Sequence, residues 1–448
     1  MEISKKLIKN IWYVVLFLMP FLSVSPWQTL FMAPFYYGFI YFTLISILFL
    51  LVVIATSKHK LEGGAFFFLI FFVFFSFLSI ILNWNITYPA LPFNIHGLKA
   101  PHLYNLIVFI YLGLNAITFY LVTRIVDDKE VFVRSIAILI FSSILASFWG
   151  ILMVFGNISG LFPSNFLPLD IFPRLSGTAT EPQVFADFLL VGIPFSLVLL
   201  VKKSSLVNFV NTFILILALA MTFSMGGWVA AFLSLTLFFL LVRKLISIKH
   251  FFGVWGIIIL SILTVSVLSL SFPSYQNNFS MYFSKLKFWN IHKEATIYHE
   301  TMKNRNKNIY EGNLVNRFDD KLQRTWMTEA AINMFKSRPL FGIGTGNYGY
   351  FYNVFKPEGT PIKPYREKTH NAYLEVLAEN GIVGFLCFLG FIVGVLSVSS
   401  KGRDLFALAF LASVVGLLIH GLSFGILSHN HFWIALGLVF ASRKLVNE

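Results

Sequence analysis

Cysteine and charge are scarce in this chain of 448 residues. The one cysteine, Cys387, excludes an intrachain disulfide, so cysteine usage gives no indication of the redox compartment. Only 12% of the residues are charged and 57% are hydrophobic, which excludes an ordinary soluble domain. The composition instead indicates a polytopic membrane protein.

Long apolar runs are what the sequence has in abundance. A helix that crosses a bilayer needs about 20 apolar residues. Twelve candidate runs predict an all-α polytopic protein with about 12 transmembrane helices, of which the eighth and twelfth are short enough to need local bilayer thinning. They lie at residues 10–25, 35–56, 65–83, 104–125, 131–154, 184–201, 206–223, 228–242, 251–271, 381–399, 405–425 and 430–442.

Lysine and arginine concentrate in alternate connections between these runs. With the N-terminus inside, the short outer loops hold only Lys99 and Arg174, which predicts that both termini are cytoplasmic. Residues 1–271 then form spans one to nine, residues 272–380 a large outer segment, and residues 381–448 spans ten to twelve. The net charge of +14 is explained by anchoring, and nucleic acid is not an expected partner.

The outer segment contains one strong helical pattern and one glycine-rich stretch. A helix from about Lys321 to Lys336 would carry a buried apolar stripe and end at Ser337-Arg338-Pro339. Residues 342–349 contain four glycines, whose backbone N–H groups could face a phosphate; the alternative is a tight turn after the helix. The predicted stripe consists of Met327, Ala330, Ala331 and Met334.

A His370-Asn371 pair directly precedes the tenth span. Near neutral pH an unperturbed histidine is mostly the free base, so it can accept a proton from an attacking hydroxyl. If His370 begins a helix, Glu375 and Glu379 point to the opposite side, and neither carboxylate can orient the imidazole. We therefore expect its partner to come from elsewhere, with Glu181 or Asp187 at the outer end of span six as candidates.

Arginines on the same predicted side offer anion binding. Arg174 stands in a short outer loop, and Arg324 precedes Trp326 on the predicted outer helix. Guanidinium groups bind phosphate oxygens in a bidentate way and stay charged, so two or three would suit a diphosphate. The alternative is structural ion pairing with Glu181 or Asp319.

His429 and His431 flank Asn430 in the last outer turn. Two histidines in a turn can bind a metal, but they are more often polar loop residues. We expect no metal site and no cofactor.

Several motifs resemble the O-antigen ligase and polymerase family of bacterial envelope glycosyltransferases. The pair His370-Asn371 is followed by nine residues, Gly381, two more residues and Gly384, which is similar to the family signature. Residues 174–182, 324–326 and 338–344 resemble further family segments, and a large loop between spans nine and ten matches the family layout.

One position departs from the family pattern. The family often has Ser-Arg-Gly after span seven, whereas this chain has Met225 in place of the arginine. If that arginine holds the lipid diphosphate, another basic residue substitutes for it or the contact is dispensable here. The candidates for substitution are Arg338, Arg366 and Lys368.

The resemblance implies a GT-C-like, inverting and metal-independent glycosyltransferase of the bacterial inner membrane, with its active site facing the periplasm. It would move a glycan from undecaprenyl diphosphate to a hydroxyl of lipid A-core as a ligase, or of a second lipid-linked glycan as a polymerase. His370 would be catalytic. The residues implied to bind the diphosphate are Arg174, Arg324 and Arg338, and those implied to support the site are Asn371, Glu181, Asp187 and Trp326.

A different class of protein also has twelve spans. A flippase for lipid-linked glycans or a secondary transporter would often show two repeated halves and ionisable residues near the membrane midplane. Here the middle connection is very short and the notable charges cluster outside. A lateral groove in the bundle would favour transfer, and a central two-sided cavity would favour transport.

Overall fold

The computed structural model describes residues 2–21, 44–53, 64–89, 101–161, 174–179, 181–272, 320–358, 360, 368–399 and 405–445. Their regular structure is helical, and no strand occurs among them. Apolar runs of this length favour helices because a helix satisfies its own backbone N–H and C=O groups where water is excluded. The predicted all-α class is confirmed for this part of the chain.

A helix lies within or across each of the twelve predicted runs. Seven of these helices are long and apolar enough to cross a membrane: α3 to α6, α8, α9 and α12. The eighth predicted run was expected to be short, but α8, which contains it, is one of these seven. Helices α10 and α11 belong to the predicted outer segment. The helices are α1 Glu2–Leu18, α2 Leu44–Val53, α3 Gly64–Leu82, α4 Pro101–Ile125, α5 Lys129–Ile158, α6 Pro182–Lys202, α7 Leu206–Met221, α8 Met225–Val242, α9 Ile248–Ser271, α10 Asp320–Ser337, α11 Tyr348–Phe355, α12 Ala372–Ser399, α13 Leu405–His420 and α14 Asn430–Leu445.

Helices α6 and α14 form the centre of the bundle. Nearly every described residue of both is buried, whereas α9 exposes most of its residues. A helix that is apolar on all sides is suited to the interior of a bundle or to lipid contact. Helix α6 therefore gives any polar residue on it, such as Asp187, a fixed and water-poor position.

The two ends of the bundle carry different polar contacts. At one end, Lys9 pairs with Asp128 at 2.8 Å, and Lys202 of α6 lies 4.1 Å from the centre of an aromatic ring at the start of α13. At the other end, α6 and α13 meet again through Asp187 and His420. Lys9 and Lys202, both predicted for the inner side, thus lie at one end of the bundle, and Asp187, predicted for the outer side, lies at the other.

Helix α10 packs its predicted apolar stripe into a second, smaller core. The helix ends at Ser337, as expected from Pro339, because proline disfavours a helical conformation at the residue before it. The core also receives aromatic residues of α11, among them Tyr348 and Phe351. The four stripe residues, all buried, are Met327, Ala330, Ala331 and Met334.

The glycine-rich stretch at residues 342–349 is a tight turn held by α12. The backbone N–H groups of Gly346 and Tyr348 donate to the two carboxylate oxygens of Glu379, at 2.8 and 2.9 Å. The N–H of Gly344 donates to the backbone carbonyl of Glu379. Because these donors are already bound inside the protein, the hypothesis that the stretch holds a phosphate is wrong, and the tight-turn alternative is confirmed.

Glu379→Ala is expected to destabilise this turn strongly. The substitution leaves two buried N–H groups without acceptors, and each unsatisfied group costs about 1–3 kcal/mol. We expect a clear fall in the thermal unfolding midpoint of the detergent-solubilised protein. Glu329→Ala, which removes an exposed carboxylate from α10, is the matched control. Equal unfolding midpoints for the two variants would contradict this role of Glu379.

Candidate active site

The turn between α13 and α14 gathers three histidine rings around one aromatic side chain. Phe424 is buried, and its ring centre lies 5.3 Å from that of His429, 5.7 Å from that of His420 and 6.2 Å from that of His370. The turn thus joins the start of α12 to the ends of α13 and α14. It places the predicted catalytic histidine beside two others.

Asp187 is the buried acid of this cluster. His420 Nδ1 donates to its Oδ1, and His429 Nδ1 donates to its Oδ2 at 3.0 Å. The Nε2 atom of His431 lies 3.9 Å from the same Oδ2. The carboxylate therefore accepts hydrogen bonds from histidines of α13 and of the α13–α14 turn, with a histidine of α14 close by. His370, for which the sequence offered Asp187 as one candidate partner, is not among these histidines.

His420 was missed by the sequence analysis because it ends an apolar run. Its Nε2 lies 3.5 Å from Oγ of Ser224, which accepts a hydrogen bond from the N–H of Gly227 and so caps α8. A Cβ on Gly226 would lie 2.1 Å from Oγ of Ser423, so only glycine permits this approach. The Asp187–His420–Ser224 chain thereby ties the start of α8 to the centre of the bundle.

Arg174 holds the turn between α7 and α8. Its Nε donates to the carbonyl of Thr222 at 2.9 Å, and its Nη2 donates to the carbonyl of Phe223 at 3.3 Å. Phe223 has a φ of +49°, a left-handed conformation that costs energy in a bulky residue and needs such support. The guanidinium therefore lies against the segment that leads into Met225, where the family often has arginine.

Arg324 holds the other polar turn. Its Nη1 donates to the carbonyl of Ser423 at 2.9 Å, directly before Phe424. Trp326, two residues further along α10, is buried. Helix α10 thus brings a second guanidinium to the α13–α14 turn. The diphosphate-binding role suggested for Arg324 stays a prediction.

His370 lies just outside α12 rather than within it. Asn371 is the capping residue: its Oδ1 accepts from the N–H groups of Tyr373 and Leu374, and its Nδ2 donates to the carbonyl of Leu422. His370 itself has a φ of +49°. The expectation that His370 begins the helix is wrong, because the helix begins at Ala372 with Asn371 as its cap.

The carboxylates of α12 bind other groups. Glu375 accepts from Oγ1 of Thr369 at 3.1 Å and borders the α13–α14 turn, because a Cβ on Gly425 would meet its Oε2 at 3.4 Å. Glu379 holds the glycine-rich turn.

Helix α12 kinks at Gly381, whose φ is +66°. The kink requires glycine, because a Cβ there would meet the carbonyl oxygen of Leu340 at 2.3 Å. The expected boundary between outer segment and span ten falls on this kink.

The sequence also singled out Arg338, Glu181 and Lys368. Nη1 of Arg338 donates to Oδ1 of Asn83 at 2.7 Å, beside the glycine-rich turn. Glu181 occupies the N-cap position of α6 but makes no capping side-chain bond. Lys368 is exposed near the start of α12. Three residues named in the sequence analysis lie outside the described residues: Lys99, Asp319 and Arg366.

A groove of about 880 Å³ runs along α8 between α7 and α9. Trp228 stands in it, bonded to the carbonyl of Leu219 at 3.0 Å, with its ring centre 6.0 Å from that of Phe223. The groove is lateral, because several of its lining residues are also exposed on the outside of the bundle. These include Phe232, Leu240 and Ile262.

The sequence from residue 210 to residue 389 matches the family model described as O-antigen ligase. The matched range is less than half of the chain. It supports an O-antigen ligase-like or polymerase-like membrane enzyme, in line with the resemblance that the sequence motifs indicated. No curated protein matches the sequence.

The matched range runs from α7 to α12 and includes Ser224, Arg324 and His370. Arg174 and Asp187 precede it, and the α13–α14 turn follows it. The histidine cluster is therefore built partly by residues inside the matched range and partly by residues outside it. Three ligand atoms in that cluster, from Asp187, His429 and His431, lie within 4.8 Å of one another and could hold a metal ion.

Proposed function

We propose that this protein is an inverting glycosyltransferase that moves a glycan from undecaprenyl diphosphate to an acceptor hydroxyl at the periplasmic face of the inner membrane. The convergence of Arg174, Arg324 and His370 on two adjoining turns carries the proposal. Arg174 binds the α7–α8 turn, Arg324 binds the α13–α14 turn, and the 3.5 Å approach of Ser224 to His420 joins those turns.

The chemistry requires a base and a stabilised leaving group. The acceptor oxygen forms a bond to the anomeric carbon as the bond from that carbon to the diphosphate oxygen breaks. His370 takes the hydroxyl proton or aligns the hydroxyl, and the two guanidinium groups meet the charge that develops on the departing diphosphate. Attack from the face opposite the diphosphate inverts the anomeric centre.

The lateral groove supports transfer over transport. A polyprenyl chain is apolar, and the groove between α8 and α9 offers apolar walls that open to the side of the bundle. Its lining includes Trp228, which contacts the Phe223 ring beside the Arg174 contacts. A donor whose chain lies there can present its diphosphate to the arginines without crossing the bundle, whereas a flippase needs a path for the glycan through it.

The ligase and the polymerase differ in their acceptor. The form of the His370-Asn371 motif inclines us to the ligase, with lipid A-core as acceptor. The polymerase, with a second lipid-linked glycan as acceptor, is the alternative. Offering the two acceptors separately to the purified protein tests the choice: a single addition that requires lipid A-core supports the ligase, and a ladder without it supports the polymerase.

Transfer is expected to need no magnesium at the diphosphate. Arg174 and Arg324 supply fixed positive charge there, which is the role that a divalent cation would otherwise fill. The initial rate of transfer by purified protein should be the same with and without added magnesium. Activity that EDTA abolishes and magnesium restores would overturn this account of diphosphate binding.

A further inference from the structure

Asp187 and the histidines around it form a group larger than the proposed transfer requires. Asp187 is fully buried, and burial of an ionised carboxylate is costly unless opposite charge and hydrogen bonds compensate. Helices α13 and α14 and their turn direct His420, His429 and His431 at this one carboxylate. One neutral imidazole for each carboxylate oxygen of Asp187 would already satisfy its need for a hydrogen bond.

We propose that Asp187, His429 and His431 bind a divalent transition-metal ion, and zinc by the nature of the ligands. The ligand atoms are Oδ2 of Asp187, Nδ1 of His429 and Nε2 of His431. Zinc takes imidazole nitrogen and carboxylate oxygen at about 2.0–2.2 Å in tetrahedral sites, whereas magnesium prefers oxygen alone. The three atoms lie within 4.8 Å of one another, which small side-chain rotations convert to zinc coordination.

An unpartnered atom points independently to a ligand at this place. Nε2 of His431 is buried and has no hydrogen-bond partner among the described residues, and its 3.9 Å separation from Asp187 exceeds a hydrogen bond. A buried polar atom left unsatisfied costs about 1–3 kcal/mol. A metal ion between Asp187 and the two histidines would satisfy this nitrogen.

The surroundings supply the outer contacts that metal sites use. His420 donates through Nδ1 to Oδ1 of Asp187, the carboxylate oxygen that is not a proposed ligand atom. The Nε2 atom of His420 approaches Ser224. Partners of this kind orient the ligands, and their loss typically lowers metal affinity about 10–100-fold. Phe188 and Phe424 contact the histidine rings and limit access of water.

The ion would position the site rather than act on the diphosphate. It would tie α6 to α14 and to the α13–α14 turn, whose carbonyls at Leu422 and Ser423 hold Asn371 and Arg324. The inference does not depend on glycan transfer, because metal occupancy is measured without substrate. Its failure would leave the proposed function unaffected.

The test measures metal content in the full-length protein, purified in detergent with an affinity tag that contains no histidine. We expect about one zinc ion per chain. His431→Gln and Asp187→Asn should each lower occupancy at least tenfold, and His420→Gln should weaken zinc affinity by about 10–100-fold. His250→Gln changes a histidine at the opposite end of the bundle and should keep full occupancy.

Measurements on wild-type protein alone can overturn the proposal, so the test does not depend on whether the variants fold. Cobalt added to metal-free wild type should give the visible absorption of tetrahedral cobalt, and zinc should displace it. Protein that is purified without metal and binds neither ion would contradict the proposal. Occupancy that survives both His431→Gln and Asp187→Asn would show that the ion binds elsewhere.

Discussion

His370→Ala is expected to lower the rate of glycan transfer by about 10²–10⁴-fold, the usual contribution of a positioned general base. The loss should fall on kcat, because the contacts assigned to the donor come from Arg174, Arg324 and the lateral groove. His370 lies beside Phe424 at the centre of the polar turns, and its backbone is fixed by the Asn371 cap. Donor binding should therefore remain close to that of the wild type.

The left-handed backbone at His370 allows a sharper version of this experiment. Asparagine tolerates that conformation better than alanine, so His370→Asn removes the base with less change in the chain. His102→Ala is the matched control, because this ring stacks on Trp84 at 4.5 Å at the outer end of α4. Full activity of both His370 variants would exclude His370 as the base.

Arg174→Gln is expected to lower kcat/KM by about 10²–10³-fold, the cost of removing one preorganised group that stabilises transition-state charge. The side chain has two roles, because it also supports the carbonyls of Thr222 and Phe223. Arg174→Lys should recover part of the activity, since lysine keeps the charge but lacks the planar fork.

Arg134→Gln is the control for this series, because Arg134 is an exposed residue of α5 that pairs with Glu130. Kinetics with a lipid-diphosphate donor should separate the variants. If Arg174→Gln and Arg134→Gln have the same kcat/KM, Arg174 does not contact the diphosphate. Variants with a lower unfolding midpoint but unchanged kcat/KM would assign Arg174 to the turn alone.

The helices were predictable from sequence because their signals are local. Apolar runs predicted a helix at each candidate span, and the spacing of Met327, Ala330 and Met334 predicted the buried face of α10. Pro339 predicted where α10 ends. Each signal depends on residues within a few turns of one another.

The site was less predictable because its contacts join distant segments. Arg324 and His370 were identified from motifs, but their approach to the α13–α14 turn depends on how the helices pack. His420 gave no signal of its own at the end of an apolar run, and only the fold shows that it pairs with Asp187, 233 residues earlier. The glycine-rich turn was ambiguous because its acceptor, Glu379, lies on another helix.

Transfer of a glycan between lipid-linked partners is the activity that we propose for this protein. The most direct test is incubation of the purified wild-type protein with an undecaprenyl-diphosphate-linked glycan and lipid A-core, followed by separation of the lipid products. We expect one glycan added to lipid A-core for each undecaprenyl diphosphate released. Absence of transfer to lipid A-core and to a second lipid-linked glycan, together with movement of the intact donor across reconstituted vesicles, would contradict it and favour a transporter.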